Sequence, residues 1–91
     1  MTFDVLQPGD VIDRIGYDNG SFASPVDTPF IERSLPAESL DRPYNSFTVQ
    51  QPINVQSGQI SPWFGQPGGG TQYQLPSSVK SLIDSGALRK N

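Results

Sequence analysis

Arg14 and Arg33 are two of the three cations that precede residue 80; Arg42 is the third, and the first lysine is Lys80. A planar guanidinium fork matches two oxygens of a phosphate or carboxylate, so a chain that uses arginine alone through its body is suited to holding an anion. The other use is an ion pair with one of the nine acidic residues, which contributes little at an exposed site. For Arg14 the candidate partners are Asp13 and Asp10. A second group lies nearer the C-terminus. Gly68-Gly69-Gly70 permits positive φ and close approach of a ligand to the backbone, or is simply a flexible hairpin loop. Gln66 and Gln72 flank it; a carboxamide both donates and accepts, and so can hold ribose hydroxyls or a water. Trp63 and Phe64 come just before. Neighbours in a strand point to opposite faces, so one ring is expected in the core and the other is free to stack on a ligand, unless both are buried. Phe22 is open to the same two readings.

The absent residues narrow the chemistry. The chain has no cysteine and no histidine, which removes thiolate chemistry, disulfides, Ser-His-Asp and Cys-His nucleophile systems, and ordinary zinc sites. The glycine run has neither the lysine and hydroxyl residue of a P-loop nor the strand-loop-helix setting of a dinucleotide fingerprint. A net charge of −3 excludes a general nucleic-acid binder, which presents a basic face. The N-terminal stretch has no basic region followed by an apolar one, so neither a secretory signal nor a membrane span is read.

These residues need a scaffold, and 91 residues fit one small domain. Nine prolines and nine glycines predict many turns and short strands. A turn at Leu6–Asp10 leads into a strand over Val11–Gly16. Asp18-Asn19-Gly20 is a hairpin signal, and Ser21–Ala23 returns as a strand. Phe30–Leu35 is either a short helical turn or a strand, and Pro36–Pro43 is a surface connection. Tyr44–Val49 alternates with Phe47 and Val49 inward. Ile53–Val55 and Gln59–Phe64 are read as two further strands separated at Ser57-Gly58. Residues 65–70 form an irregular loop, and Thr71–Leu75 a strand with Gln72 and Gln74 on one face. The helix is marked by Ser77 as its cap, by Val79, Leu82 and Ile83 as an apolar stripe, and by Gly86 as its end; it is read as packing. The expected fold is α+β and β-rich: a small antiparallel or mixed sheet with a short C-terminal helix.

Taken together, the motifs resemble a known family. Asp13-Arg14-Ile15-Gly16, Ser24-Pro25, Thr28-Pro29-Phe30 and Arg33-Ser34-Leu35-Pro36 are similar to the first half of the tuberculosis necrotizing toxin domain. The run from Ser61 through Trp63 and the glycines to Tyr73 is similar to its second half, and Leu75-Pro76, Val79, Leu82 and Gly86-Ala87-Leu88 agree with its close. The resemblance covers about Leu6 to Leu88. It implies an NAD(P) glycohydrolase that releases nicotinamide and ADP-ribose, with NAD or NADP as substrate and no bound cofactor or metal. It also implies delivery as the C-terminal part of a larger secreted toxin, action in the target-cell cytoplasm, and a cognate immunity protein. Family active sites use arginines, an aromatic residue and a glutamine, which by motif are Arg14, Arg33, Phe22 and Gln72, with Gln66 as the alternative glutamine. Trp63, Gly68, Gly69 and Gly70 join these as substrate contacts. Some members carry a histidine in the segment matching Tyr44–Phe47; here Asn45 stands there.

The residue types suit that reaction. Ordinary glycosidases need a carboxylic acid to protonate the leaving oxygen, but the nicotinamide of NAD is cationic and departs neutral. What remains is to stabilise an oxocarbenium-like ribose and place a water, which fixed dipoles and positioning can do. Arg14 and Arg33 would grip the pyrophosphate, Phe22 would pack on nicotinamide or ribose, and Gln72 would orient ribose or water. Gln72→Ala or Arg33→Ala is expected to leave a folded protein with greatly reduced turnover. An ADP-ribosyltransferase is the first alternative, although neither Glu32 nor Glu38 lies in a matching motif; a non-enzymatic binding module is the second.

Overall fold

The computed structural model describes residues 1–91. Seven strands form a single sheet: β1 (Thr2–Leu6), β2 (Val11–Ile15), β3 (Phe22–Pro25), β4 (Tyr44–Val49), β5 (Ile53–Gln59), β6 (Thr71–Gln74) and β7 (Leu88–Lys90), in the order β1-β5-β6-β3-β2-β4-β7. Every pairing is antiparallel, so the sheet is not mixed. One helix, α1 (Val79–Asp84), and two 3₁₀ turns, Phe30–Glu32 and Ala37–Asp41, complete the fold. The architecture is α+β and β-rich. No helix is long and apolar enough to cross a membrane.

The core follows the alternation of β4, whose Phe47 and Val49 are buried, and joins Ile12, Val55, Leu75, Val79, Leu82 and Leu88. The helix begins one residue later than Ser77 would place it: Ser78 Oγ accepts from the Ser81 amide at 3.1 Å, the usual N-cap bond. It ends at Gly86, whose φ of +84° lets the Ala87 and Gly86 amides reach the Leu82 and Ile83 carbonyls in a left-handed C-cap.

Further sequence expectations are corrected. β1 has no counterpart in the sequence reading. Its apolar Phe3 and Val5 face solvent, so their alternation marks no core, and its five-residue register with β5 makes it a strand. β5 runs unbroken through Ser57-Gly58, because Gly58 pairs with Gln72 in the ladder and leaves room for Met1 to lie across it. Gln59–Phe64 is accordingly not a second strand. Trp63 and Phe64 sit on a tight turn closed by Trp63 and Gln66, each of whose amides donates to the other's carbonyl. The central Phe64 and Gly65 have φ of +51° and +73°, as in a type I′ turn. Neither ring is in the core; the exposures are 65% and 59%. Phe30–Leu35 resolves as a 3₁₀ turn followed by Ser34 at φ +51°.

Candidate active site

Two irregular segments, 26–43 and 60–70, close over the β2-β3 side of the sheet and lock to each other. The Gly68 and Gly70 amides donate to the Ile31 and Glu32 carbonyls and Ser34 Oγ donates to the Ser61 carbonyl at 2.6 Å, while Gly69 donates to Ile60 within the second segment. Gly68 and Gly70 are required by backbone-to-backbone approach: a Cβ on Gly68 would come within 2.6 Å of the Ile60 carbonyl, and one on Gly70 within 2.9 Å of the Glu32 carbonyl. Their amides are thus engaged by the protein's own carbonyls.

Beneath this cover a cavity is lined by Asp13, Arg14, Phe22, Ser24, Arg33 and Gln72, with Ile15, Ala23, Leu35 and Ile60 as its remaining walls. Both arginines, the aromatic residue and the glutamine of the sequence motifs therefore share one cleft. Trp63, Gln66, Asn45 and Gly68–Gly70 lie outside that lining. Asn45 is the cross-strand partner of Arg14, while Gln66 belongs to the Trp63 turn.

The two arginines stand in opposite electrostatic situations. Arg33 is buried, and its Nη2 meets Asp13 Oδ1 at 2.7 Å, with side-chain exposures of 6% and 0%. Its Nε donates to the Thr28 carbonyl at 2.9 Å. The other carboxylate oxygen of Asp13 accepts from the Asp27 amide at 3.0 Å and from the Tyr44 hydroxyl at 2.7 Å. In this buried charge pair Asp13 Oδ2 has two donors, while Oδ1 has no partner but the Arg33 guanidinium, so the carboxylate depends on that cation for its compensation. Arg14 has no carboxylate partner. Asp13 belongs to Arg33, and Asp10 accepts from the Gln7 amide. Arg14 instead donates from Nε to the Tyr17 carbonyl at 2.8 Å and from Nη1 to the Phe22 carbonyl at 3.0 Å. Partial burial and the nearby charge of Arg42 press its pKa down, with Asp18 opposing. A half-buried cation paired only to carbonyl dipoles has charge left to offer an anionic ligand.

Gln72 is half-buried on β6, and its carboxamide makes no hydrogen bond within the protein; Phe22, 40% exposed, forms the rim. The supporting acid Asp13 was visible in the sequence only as a partner of the adjacent arginine. Its signal was an acidic residue in the middle of a strand, where it is retained inside only when paired.

The family profile described as tuberculosis necrotizing toxin matches residues 5–90. The chain belongs to this family. Among its relatives is a conidial surface nicotinamide adenine dinucleotide glycohydrolase of Aspergillus fumigatus, 42% identical over 92 residues, covering 93% of this chain and 39% of that protein. The outer membrane channel protein CpnT of Mycobacterium tuberculosis is 28% identical over 95 residues, covering 90% of this chain and 11% of that protein. The chain thus spans well under half of either relative. The solved structure of tuberculosis necrotizing toxin complexed with its immunity factor superposes with a TM-score of 0.82 at 26% identity, covering 97% of this chain and 55% of that one.

One consequence of the Asp13 cluster is open to titration. The Tyr44 phenol is pushed up to about 12, first by the hydrogen bond it donates to Asp13, then by desolvation and by the negative charges of Asp13 and Asp27, with Arg33 opposing. The neutral phenol is the bonded form, so its contribution is complete below pH 10 and is lost as pH rises through about 12. An absorbance titration of tyrosinate is expected to show a late step near pH 12 that Tyr44→Phe removes; a late step surviving that substitution would assign it to another tyrosine.

Proposed function

We propose that this chain is the catalytic domain of an NAD(P) glycohydrolase that cleaves the nicotinamide–ribose bond to give nicotinamide and ADP-ribose. The observation that carries the proposal is the convergence of Arg14, Arg33, Phe22 and Gln72 on one cavity, in a chain whose relative is named for this activity. The C1′–N bond breaks with its electron pair going to the ring nitrogen, which neutralises the nicotinamide. A water oxygen bonds to C1′, and one proton passes to solvent. No proton donor is demanded by the leaving group, so an arginine- and glutamine-lined cleft meets the requirement by placement and fixed dipoles.

The roles follow from the electrostatics. Arg14, free of any carboxylate, takes the pyrophosphate through charge-assisted hydrogen bonds. Arg33, already neutralised by Asp13, chiefly shapes the wall and offers its remaining donors to the substrate. Phe22 packs on the nicotinamide or the ribose, and Gln72 orients ribose or water. Delivery within a larger toxin and a cognate immunity protein capping the cleft extend the same proposal, supported by the solved complex of tuberculosis necrotizing toxin with its immunity factor and by the small share of CpnT that this chain covers.

The test is incubation of the purified chain with NAD labelled in the adenosine half. Free ADP-ribose and nicotinamide accumulating together support hydrolysis. Label appearing on protein would instead make the chain a transferase, and no nicotinamide release would make it a binding module. Arg14→Ala is expected to lower kcat/KM by about 10- to 100-fold, the size of one or two lost charge-assisted hydrogen bonds, mainly through KM. An unchanged KM would take the pyrophosphate away from Arg14.

A further inference from the structure

Arg14 has no acid to hold it, so its orientation must come from shape. Its guanidinium lies in a seat formed by two glycines. A Cβ built on Gly20 would fall inside the guanidinium, against Nη2 and Cζ, and one on Gly16 would stand 2.9 Å from Nη2. Nε is held by the Tyr17 carbonyl and Nη1 by the Phe22 carbonyl, Nη2 rests against the two glycines with no acceptor in the protein, and the side chain as a whole lines the cavity. We infer that Gly20, with Gly16, is a positioning residue: the missing side chain at 20 is what seats the Arg14 guanidinium at the cavity wall.

The surrounding backbone decides what yields if that space is filled. The turn from Tyr17 to Gly20 is anchored on three sides. The Val79 and Lys80 amides at the start of α1 donate to the Gly20 and Asp18 carbonyls at 2.9 and 2.8 Å, Gly20 donates to Tyr17, and Gly16 donates to the Pro43 carbonyl. Lys90 Nζ on β7 meets Asp18 Oδ2 at 2.6 Å. The helix that packs the core therefore also fixes the floor of the seat. Against an anchored turn, the end of a flexible side chain moves first. Gly16 has a φ of +143° and would be strained by any side chain, whereas Gly20 does not adopt a positive φ and can carry a methyl group without backbone strain. Gly20→Ala is thus a way of displacing Arg14 while keeping it in the chain.

This inference rests on reading the cavity as the NAD site, and its test has one arm that does not depend on activity. Four versions of the chain are compared: wild type, G20A, R14A and R14A/G20A. In nitrogen-labelled samples the Arg14 Nε–H resonance, identified by its loss in R14A, is expected to be slowly exchanging in wild type and to shift and exchange fast in G20A. In nicotinamide release, G20A is expected to lose kcat/KM by about the 10- to 100-fold factor assigned to R14A, while R14A/G20A matches R14A in both kcat/KM and melting temperature. An unchanged Nε–H resonance in G20A overturns the seat. A further loss on adding G20A to R14A, or failure of the double variant to fold, also overturns it by showing that the backbone itself needs glycine there. If wild type releases no nicotinamide, the functional reading fails while the resonance still decides the seat.

Discussion

Gln72→Ala is expected to lower kcat for nicotinamide release by about 10²- to 10³-fold, the usual cost of removing one preorganised polar group from a transition state, and to leave thermal stability nearly unchanged. The two halves of that expectation have one origin. The Gln72 carboxamide is half-buried in the cavity wall and makes no hydrogen bond within the protein, so truncating it orphans no buried partner. Its backbone pairs opposite Gly58 in β5, held by the ladder on either side. On the proposed reading, a carboxamide that makes no hydrogen bond within the protein and lines the cavity is free to act on the ligand. The effect falls on kcat because the demand on the ribose and the attacking water peaks as the C1′–N bond opens. Steady-state kinetics with NAD, beside a thermal melt, checks both halves. A rise in KM at constant kcat would reduce Gln72 to a uniform binding contact. Gln66→Ala is the comparison that separates the two glutamines: Gln66 closes the Trp63 turn outside the cavity, so the larger loss is expected at Gln72.

What the sequence could show was limited by which signals are local. Alternation placed Phe47 and Val49 inward, and Asp18-Asn19-Gly20 marked the turn between β2 and β3, because both depend on neighbours in the chain. The shared cavity of Arg14, Phe22, Arg33 and Gln72 was accessible only through resemblance, since β3 lies beside β6 and the cover at Arg33 comes from a separate loop. Trp63 and Phe64 misled for a physical reason. Aromatic residues normally signal burial or strand, but Pro62, Gly65 and Pro67 make this stretch a turn, and a turn that projects from the sheet exposes whatever rings it carries. The glycine run suggested close approach to the backbone, and the close approach that the structure shows is the crossing of Gly68 and Gly70 with Ile31 and Glu32. Close approach was legible, but not to what. The Asp13–Arg33 pair joins residues 20 apart in sequence, and no local pattern distinguishes it from the pairing of Arg14 with Asp13 that adjacency suggested.

That exchange of partners changes what Arg33→Ala measures. Read from sequence, it is a clean activity variant. In the structure it removes the guanidinium from a carboxylate that is fully buried, and breaking such a pair from one side costs about 3–5 kcal/mol, because the remaining charge has no compensation. For a domain of this size that is a large share of the total stability, and a urea melt is expected to show a much lower midpoint. Asp13→Asn in the Arg33→Ala background removes the stranded charge while its carbonyl oxygen still accepts from the Asp27 amide and the Tyr44 hydroxyl, so the double variant is expected to be more stable than Arg33→Ala alone. A midpoint for Arg33→Ala equal to wild type would deny the pair any structural weight. The double variant then isolates the catalytic question. Assayed below both melting midpoints, it recovers turnover if Arg33 serves only to hold Asp13 and the cover in place, and it stays slow if the guanidinium also reaches the substrate. Arg14 needs no such rescue: with no carboxylate partner, its removal strands no charge, and the loss it causes is read directly from the reaction.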